Sequence, residues 1–185
     1  MFMRSSVLAL SLIFILAFSN LVAYTRPSAD EKFESLAKQY IEELLKMSPE
    51  TATELGDHRY DDRLDDYSRA GREQRRALAQ KYLKALNEIS VNSLSPVNRV
   101  DYRILQNRLE FTLFQIDELR EYEWNPLRYN PGGAIYGLIS RDFAPLKDRL
   151  RNLKERLKGV PAVVAPGRLS TMTSAVARLL IPIFI

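Results

Sequence analysis

Beyond residue 25, apolar residues recur at spacings of three and four, the period of an amphipathic helix rather than of a strand. Phe33, Leu36, Ala37, Tyr40, Ile41, Leu44 and Leu45 make the first such stripe. Pro27 and Ser28 open it, and Ser28 with Glu31 forms a Ser-x-x-Glu capping box, in which each side chain takes up a free backbone N–H of the first turn. Ser48-Pro49 restarts a short helix through Leu55, with serine as cap and proline in the first turn, and Gly56 ends it as a residue free to take positive φ. A second long helix is predicted from about Arg69 to Ile89, with Leu78, Tyr82, Ala85, Leu86 and Ile89 inward. Ser95-Pro96 opens a third, in which Val97, Val100, Ile104, Leu105, Leu109, Leu113, Ile116 and Leu119 form the longest stripe.

Trp124-Asn125-Pro126 ends that third helix, because the residue before a proline is pushed out of the helical region. Asn130-Pro131-Gly132-Gly133 is a turn cluster, a short apolar piece over residues 134–139 follows, and another helix begins near Asp142 or Pro145. Leu146, Leu150, Leu153 and Leu157 repeat at the a and d spacing of a heptad, which suggests packing on a neighbouring helix but is too short for a coiled coil. Gly159-Val160-Pro161 reads as a stop. No apolar run alternates with strand period, so the predicted fold class is all-α, an array of antiparallel amphipathic helices.

The two ends follow other rules. Arg4 precedes an uncharged apolar block from Val7 to Phe18, the pattern of a secretory signal, with Ala23 the favoured cleavage position and Ser19 the alternative. Left uncleaved, residues 5–24 are long enough to anchor the chain in the inner membrane. No cysteine follows the block, which excludes a bacterial lipid anchor. At the far end, Pro166-Gly167 is followed by hydroxyl residues and then by Leu179-Leu180-Ile181-Pro182-Ile183-Phe184-Ile185, apolar on every side and too short for a membrane span. The expected organisation is a signal peptide or anchor over 1–24, a helical domain over 25–163 and a divergent apolar tail over 164–185, read as the product of a frameshift or truncation. The expected location is the periplasm or the cell exterior.

Composition supports a folded chain, with 46% of residues apolar and 27% charged in mixed sign. The formal net charge of +4 would matter for nucleic acid only if it were gathered on one face. Instead Arg72, Arg75 and Arg76 sit beside Glu73, and Arg149, Arg151, Lys154, Arg156 and Lys158 are broken by Glu155 and spread around a helix. Both runs read as solvated helical faces. No nucleic-acid partner is expected, and membrane contact only through the N-terminal segment.

One histidine and no cysteine bound the chemistry. A catalytic zinc needs three protein ligands drawn mainly from His, Cys and carboxylates, so no metal site, no cofactor and no catalytic residue is predicted in this chain. His58 has no nucleophile beside it and reads as a loop-bonding histidine. Asp57, Asp61, Asp62, Asp65 and Asp66 lack the ligand rhythm of a calcium loop; Asx-turns, capping and pairing with Arg59 and Arg63 account for them. Glu42 and Glu43 point about 100° apart on their helix, so they cannot flank one bond. There is no Gly-x-Ser-x-Gly elbow, and Gly132-Gly133 lacks the spaced glycines and lysine of a phosphate loop. Trp124, Tyr129 and Tyr136 remain as substrate-binding candidates, because aromatics beside a turn can grip extended peptide; a role in a helix joint competes with that reading.

The stretch Leu55-Gly56-Asp57-His58-Arg59-Tyr60-Asp61-Asp62-Arg63-Leu64, taken with Trp124-Asn125-Pro126-Leu127-Arg128-Tyr129-Asn130 and Ser140-Arg141-Asp142-Phe143-Ala144-Pro145-Leu146, resembles the N-terminal part of the bacterial domain of unknown function 885 family. The resemblance runs from about Phe33 to about Val163. It implies secreted or membrane-attached helical zinc peptidases, whose zinc and general base come from a His-Glu helix motif, further histidines and an acidic ligand, all downstream of the region present here. On that reading the chain is the N-terminal helical fragment of an exported zinc-metallopeptidase-like protein. It would form a substrate-cleft wall within a larger helical peptidase fold and be inactive alone. Its partners would be peptides or a C-terminal catalytic part, with zinc expected only in full-length members. The alternative, from a different class, is a small exported helical module that binds a partner protein through its leucine stripe.

Overall fold

The computed structural model describes residues 27–180, with side chains through residue 167. The segment read as signal or anchor and the last five residues lie outside the described residues. Three long helices build the core. The first, α1 (Ala29–Met47), starts with the predicted capping box: the Ser28 N–H donates to Glu31 Oε2 at 2.7 Å and the Glu31 N–H to Ser28 Oγ at 3.1 Å. Pro49 then opens α2 (Pro49–Glu54), although the Ser48 side chain makes no capping bond. Gly56 follows at φ 88°, the positive value anticipated for it. The remaining long helices of this layer are α3 (Arg69–Asn87), whose cap Ser68 accepts from the Gly71 N–H, and α4 (Pro96–Phe114), whose cap Ser95 accepts from the Asn98 N–H.

Helices α1, α3 and α4 meet around Phe33, Tyr40, Leu78, Tyr82, Leu86, Tyr102 and Leu109. Tyr40 and Tyr82 pack edge to face with ring centroids 5.2 Å apart, a geometry that adds about 0.5–1.5 kcal/mol beyond area burial. The inward face of α4 matches the predicted stripe at Leu105, Leu109 and Leu113 but not in its first turns. Asn98, Tyr102, Leu105 and Leu109 are buried, while Val97, Val100 and Ile104 face solvent. The helix carries apolar residues on two faces, and polar fixing decides between them: Asn98 Nδ2 donates to Glu34 Oε1 at 3.0 Å and the Ser95 N–H donates to Asp30 Oδ1 at 3.0 Å. These bonds set the start of α4 against α1.

The end of α4 also departs from expectation. The helix widens into a π turn over Gln115–Leu119 and stops at Arg120, which takes φ 48°. A left-handed non-glycine residue costs roughly 1–2 kcal/mol, offset here by the Arg120 N–H on Gln115 O and by the Arg120 guanidinium on Glu123. Trp124 therefore closes a separate short helix, α5 (Glu121–Trp124), and donates its indole N–H to Leu119 O at 3.0 Å.

A second layer follows. The turn Pro126–Tyr129 leads to α6 (Gly132–Ser140) and then to α7 (Leu146–Leu180), which packs on α5, α6 and that turn. The expected stop at Gly159-Val160-Pro161 does not occur, and Pro166-Gly167 does not interrupt the helix: α7 contains both prolines. Each proline removes a helical hydrogen bond, but the helix is held by packing on either side. Val163 is buried, Leu64 closes to 3.4 Å from where a Gly159 Cβ would lie, and the Tyr129 ring lies against Gly167. The inward stripe of α7 is Arg149, Arg156 and Val163 at seven-residue spacing, whereas Leu146, Leu150 and Leu157 are exposed. This overturns the reading of Arg149 and Arg156 as solvated. Among the described residues no helix is long and apolar enough to cross a membrane.

Candidate functional site

The acidic loop between α2 and α3 is folded around a buried aspartate, Asp61, and a half-buried one, Asp65, and each has found a different set of partners. Asp57 caps the turn His58–Tyr60 by accepting the Arg59 N–H at 3.2 Å. That turn carries the chain down to Asp61, which is 2% exposed. Asp61 Oδ1 accepts the Thr53 hydroxyl of α2 at 2.7 Å and Oδ2 lies 3.0 Å from His58 Nδ1. The His58 ring in turn stacks on Phe143, with centroids 3.9 Å apart and planes within 4°.

Arg156 closes this cluster from α7. It is 1% exposed and donates to Ala134 O at 2.8 Å, to Pro49 O at 3.4 Å and to the Thr53 hydroxyl. One side chain thus joins α2, α6 and α7. Burial draws its guanidinium below the ordinary arginine range, and the Asp61 charge opposes that. Such a charge is tolerated indoors only when paired and hydrogen-bonded. Arg149, one heptad earlier, does a related job: it donates to Ile139 O at 3.0 Å and Arg141 O at 2.8 Å, satisfying carbonyls at the C-terminal end of α6 that have no helical partner.

The second aspartate, Asp65, is tied to Glu50 by a reciprocal pair. The Glu50 N–H donates to Asp65 Oδ1 at 3.2 Å, the Asp65 N–H donates to Glu50 Oε1 at 3.0 Å, and the Tyr67 hydroxyl donates to Glu50 Oε2 at 3.2 Å. Burial, and then the neighbouring Glu50 charge, push the Asp65 carboxyl up from 3.8 to about 6. The same burial and the nearby carboxylates raise the Tyr67 hydroxyl.

Above this polar floor lies a cavity of about 170 Å³, lined by Glu50, Thr53, Glu54, Gly133, Ala134, Tyr136, Gly137, Ser140, Arg141 and Arg156. A Cβ built on Gly133 or Gly137 would meet nothing within 4 Å, so the α6 wall is open. The cavity presents carboxylates, guanidiniums and an exposed aromatic together, a set able to bind peptide backbone and termini. It holds no nucleophile with an adjacent base. Nor do the residues fit a catalytic zinc: among the described residues no three His, Cys, Asp or Glu side chains converge, and the lone histidine spends Nδ1 on Asp61.

The three aromatic candidates fall in three environments. Tyr136 lines the cavity and is 69% exposed. Trp124 is exposed and fixed to Leu119 O. Tyr129 is buried, its hydroxyl donating to Tyr122 O at 2.8 Å and its ring 5.9 Å from Tyr67, so it serves a helix joint. Missing from the candidates were Glu50, Asp61, Asp65 and Arg156. The seven-residue spacing of Arg149, Arg156 and Val163, about a quarter turn round the helix from the leucines, was the available signal for the last. Two of the three sequence stretches that carried the family resemblance meet here, through His58 on Phe143, while Arg141 Nη1 on Glu54 O at 3.2 Å and Tyr129 against Tyr67 tie the third and second to residues just beside the first.

Comparison with known proteins gives a consistent picture. A family model described as "Bacterial protein of unknown function (DUF885)" matches residues 49–183. That match starts later than Phe33 and extends past Val163, taking in most of the tail. Among solved structures, one from Shewanella oneidensis, described as "a putative lipoprotein of unknown function", superposes with a TM-score of 0.70 at 30% identity, over 74% of this chain and 25% of its own. The chain spans about a quarter of that protein's length. A comparison with curated proteins found no match.

Proposed function

Because the chain belongs to the DUF885 family of bacterial proteins of unknown function, we propose that it is a non-catalytic, peptide-binding wall of an exported peptidase-like protein. The supporting observation is the cavity beside Tyr136, whose lining brings Arg141, Arg156, Glu50 and Glu54 together with the open glycine face of α6. An extended peptide laid there would stack on Tyr136 and set its carboxylate or amine against the charges. On this reading, metal and general base belong to a different part of the family's larger fold. Export is supported by the apolar segment over residues 7–18 and by the description of the Shewanella protein as a lipoprotein.

Isothermal titration of the full chain with short unstructured peptides tests this reading. Saturable binding weakened several-fold in Tyr136→Ala, with an unchanged circular dichroism spectrum, supports it; binding indifferent to Tyr136 refutes it. A second reading, a module that docks a partner protein, has its own observation in the exposed Leu146, Leu150 and Leu157. Replacing those three by glutamine would abolish partner capture and leave peptide binding intact.

A further inference from the structure

A second cavity, of about 200 Å³, lies where α1 to α4 meet the acidic loop, with Asp65, Tyr67, Arg75, Arg108, Thr112 and Arg128 among its walls. Three guanidiniums from three separate elements converge on it, and they are not equally engaged. Arg128 is neutralised by Glu121 at 3.1 Å. Arg75 gives Nη2 to Asp66 O, but its Nη1 is buried without a hydrogen-bond acceptor among the described residues; Asp65 Oδ2, at 3.8 Å, is out of hydrogen-bond reach. Arg108 faces the Tyr40 hydroxyl and pairs with no described carboxylate.

Three of the other polar walls are already committed. The Tyr67 hydroxyl donates to Glu50, the Thr112 hydroxyl donates to Arg108 O at 2.9 Å, and Asp65 Oδ1 accepts from the Glu50 N–H. A buried guanidinium N–H left without an acceptor is costly, and the space exceeds what one water fills. Planar guanidinium donors match the oxygens of carboxylate and phosphate better than any other common ligand group. We propose that this cavity is a binding site for a small oxyanion, a carboxylate or a phosphate, held between Arg75 and Arg108. The site is separate from the cavity beside Tyr136 and stands or falls independently of the peptide reading.

The test is a titration of the full 185-residue chain, in low salt, with sodium acetate and separately with inorganic phosphate. Backbone and arginine side-chain NMR shifts report binding, and sodium chloride at matched ionic strength is the control. Saturation by acetate assigns carboxylate chemistry, saturation by phosphate assigns phosphate chemistry, and either supports the site. Binding should weaken at least about tenfold in R75Q and in R108Q, as loss of one charge-assisted hydrogen bond requires, and stay unchanged in R120Q. Arg108 is exposed at the surface of α4, so R108Q decides the matter even if R75Q fails to fold. Shifts no larger than those with chloride, or saturation indifferent to R75Q and R108Q, would overturn the proposal and leave a water-filled space.

Discussion

Replacing Asp65 by asparagine should change how stability depends on pH, and the size of the change follows from the site. The carboxyl is held up at about 6 against an ordinary 3.8, a difference of about 2 units, or about 3 kcal/mol. Its side chain is only 15% exposed, so solvent screening removes little of that. The sign is that of a raised acid: the folded state favours the protonated form. This contribution is fully present below pH 3.8 and disappears as pH climbs through about 6. Between pH 4 and 7 the natural protein should therefore lose up to about 3 kcal/mol from this group, whereas Asp65→Asn, always neutral and still able to accept the Glu50 N–H, should not. Urea unfolding followed by circular dichroism from pH 4 to 7.5 reads the difference between the two proteins, in which titrations common to both, such as the depressed carboxyls of Glu43 and Asp66, cancel. The variant should gain on the natural protein steadily with pH. A flat difference, or one in which the natural protein gains, would mean that Arg75 and Arg156 hold the carboxylate charged, and the account of the buried pair would fail.

Arg156→Met should cost about 2–4 kcal/mol, because it leaves the Ala134 carbonyl and the Thr53 hydroxyl without their donor in a buried site and removes the charge that faces Asp61; adding Asp61→Asn should recover part of that, and a single-variant loss below about 1 kcal/mol in urea unfolding would contradict the cluster. Gly71→Ala should destabilise by about 1–3 kcal/mol because its Cβ would overlap the Asp66 carbonyl, while Gly133→Ala, with nothing within 4 Å, should be neutral or mildly stabilising by thermal melt.

What could be read in advance was local. Ser28 with Glu31, Ser95-Pro96 and Gly56 act through bonds within a few residues, so their roles survive folding unchanged. The α4 face could not be chosen, since Val97, Val100 and Ile104 make as good a stripe as Tyr102, Leu105 and Leu109 until Glu34 takes hold of Asn98. Arg120 gave no warning either, because its left-handed backbone is imposed by the π turn before it rather than by its own residue type. Pro161 stopped the pattern on paper because a lost hydrogen bond is visible in sequence and the compensating burial of Val163 is not. The deepest part of the site was the least legible for the same reason. Arg156 sits in a run of mixed charge that looks solvated, and its partners Pro49 and Thr53 lie in another helix altogether.

That separation sets a clock. Arg156 reaches back 107 residues to Pro49 and 103 to Thr53. A ribosome adding about 5–20 residues per second needs roughly 5–20 s to cover that stretch. Throughout the interval Asp61 and its loop wait without their latch. A chain interrupted between residues 115 and 155 would carry α1, α3 and α4 complete while the acidic loop, bonded to α2, lacks its closure by Arg156 and is a ready target for proteolysis. Quality control could thus test whether α7 has arrived by cutting at the acidic loop.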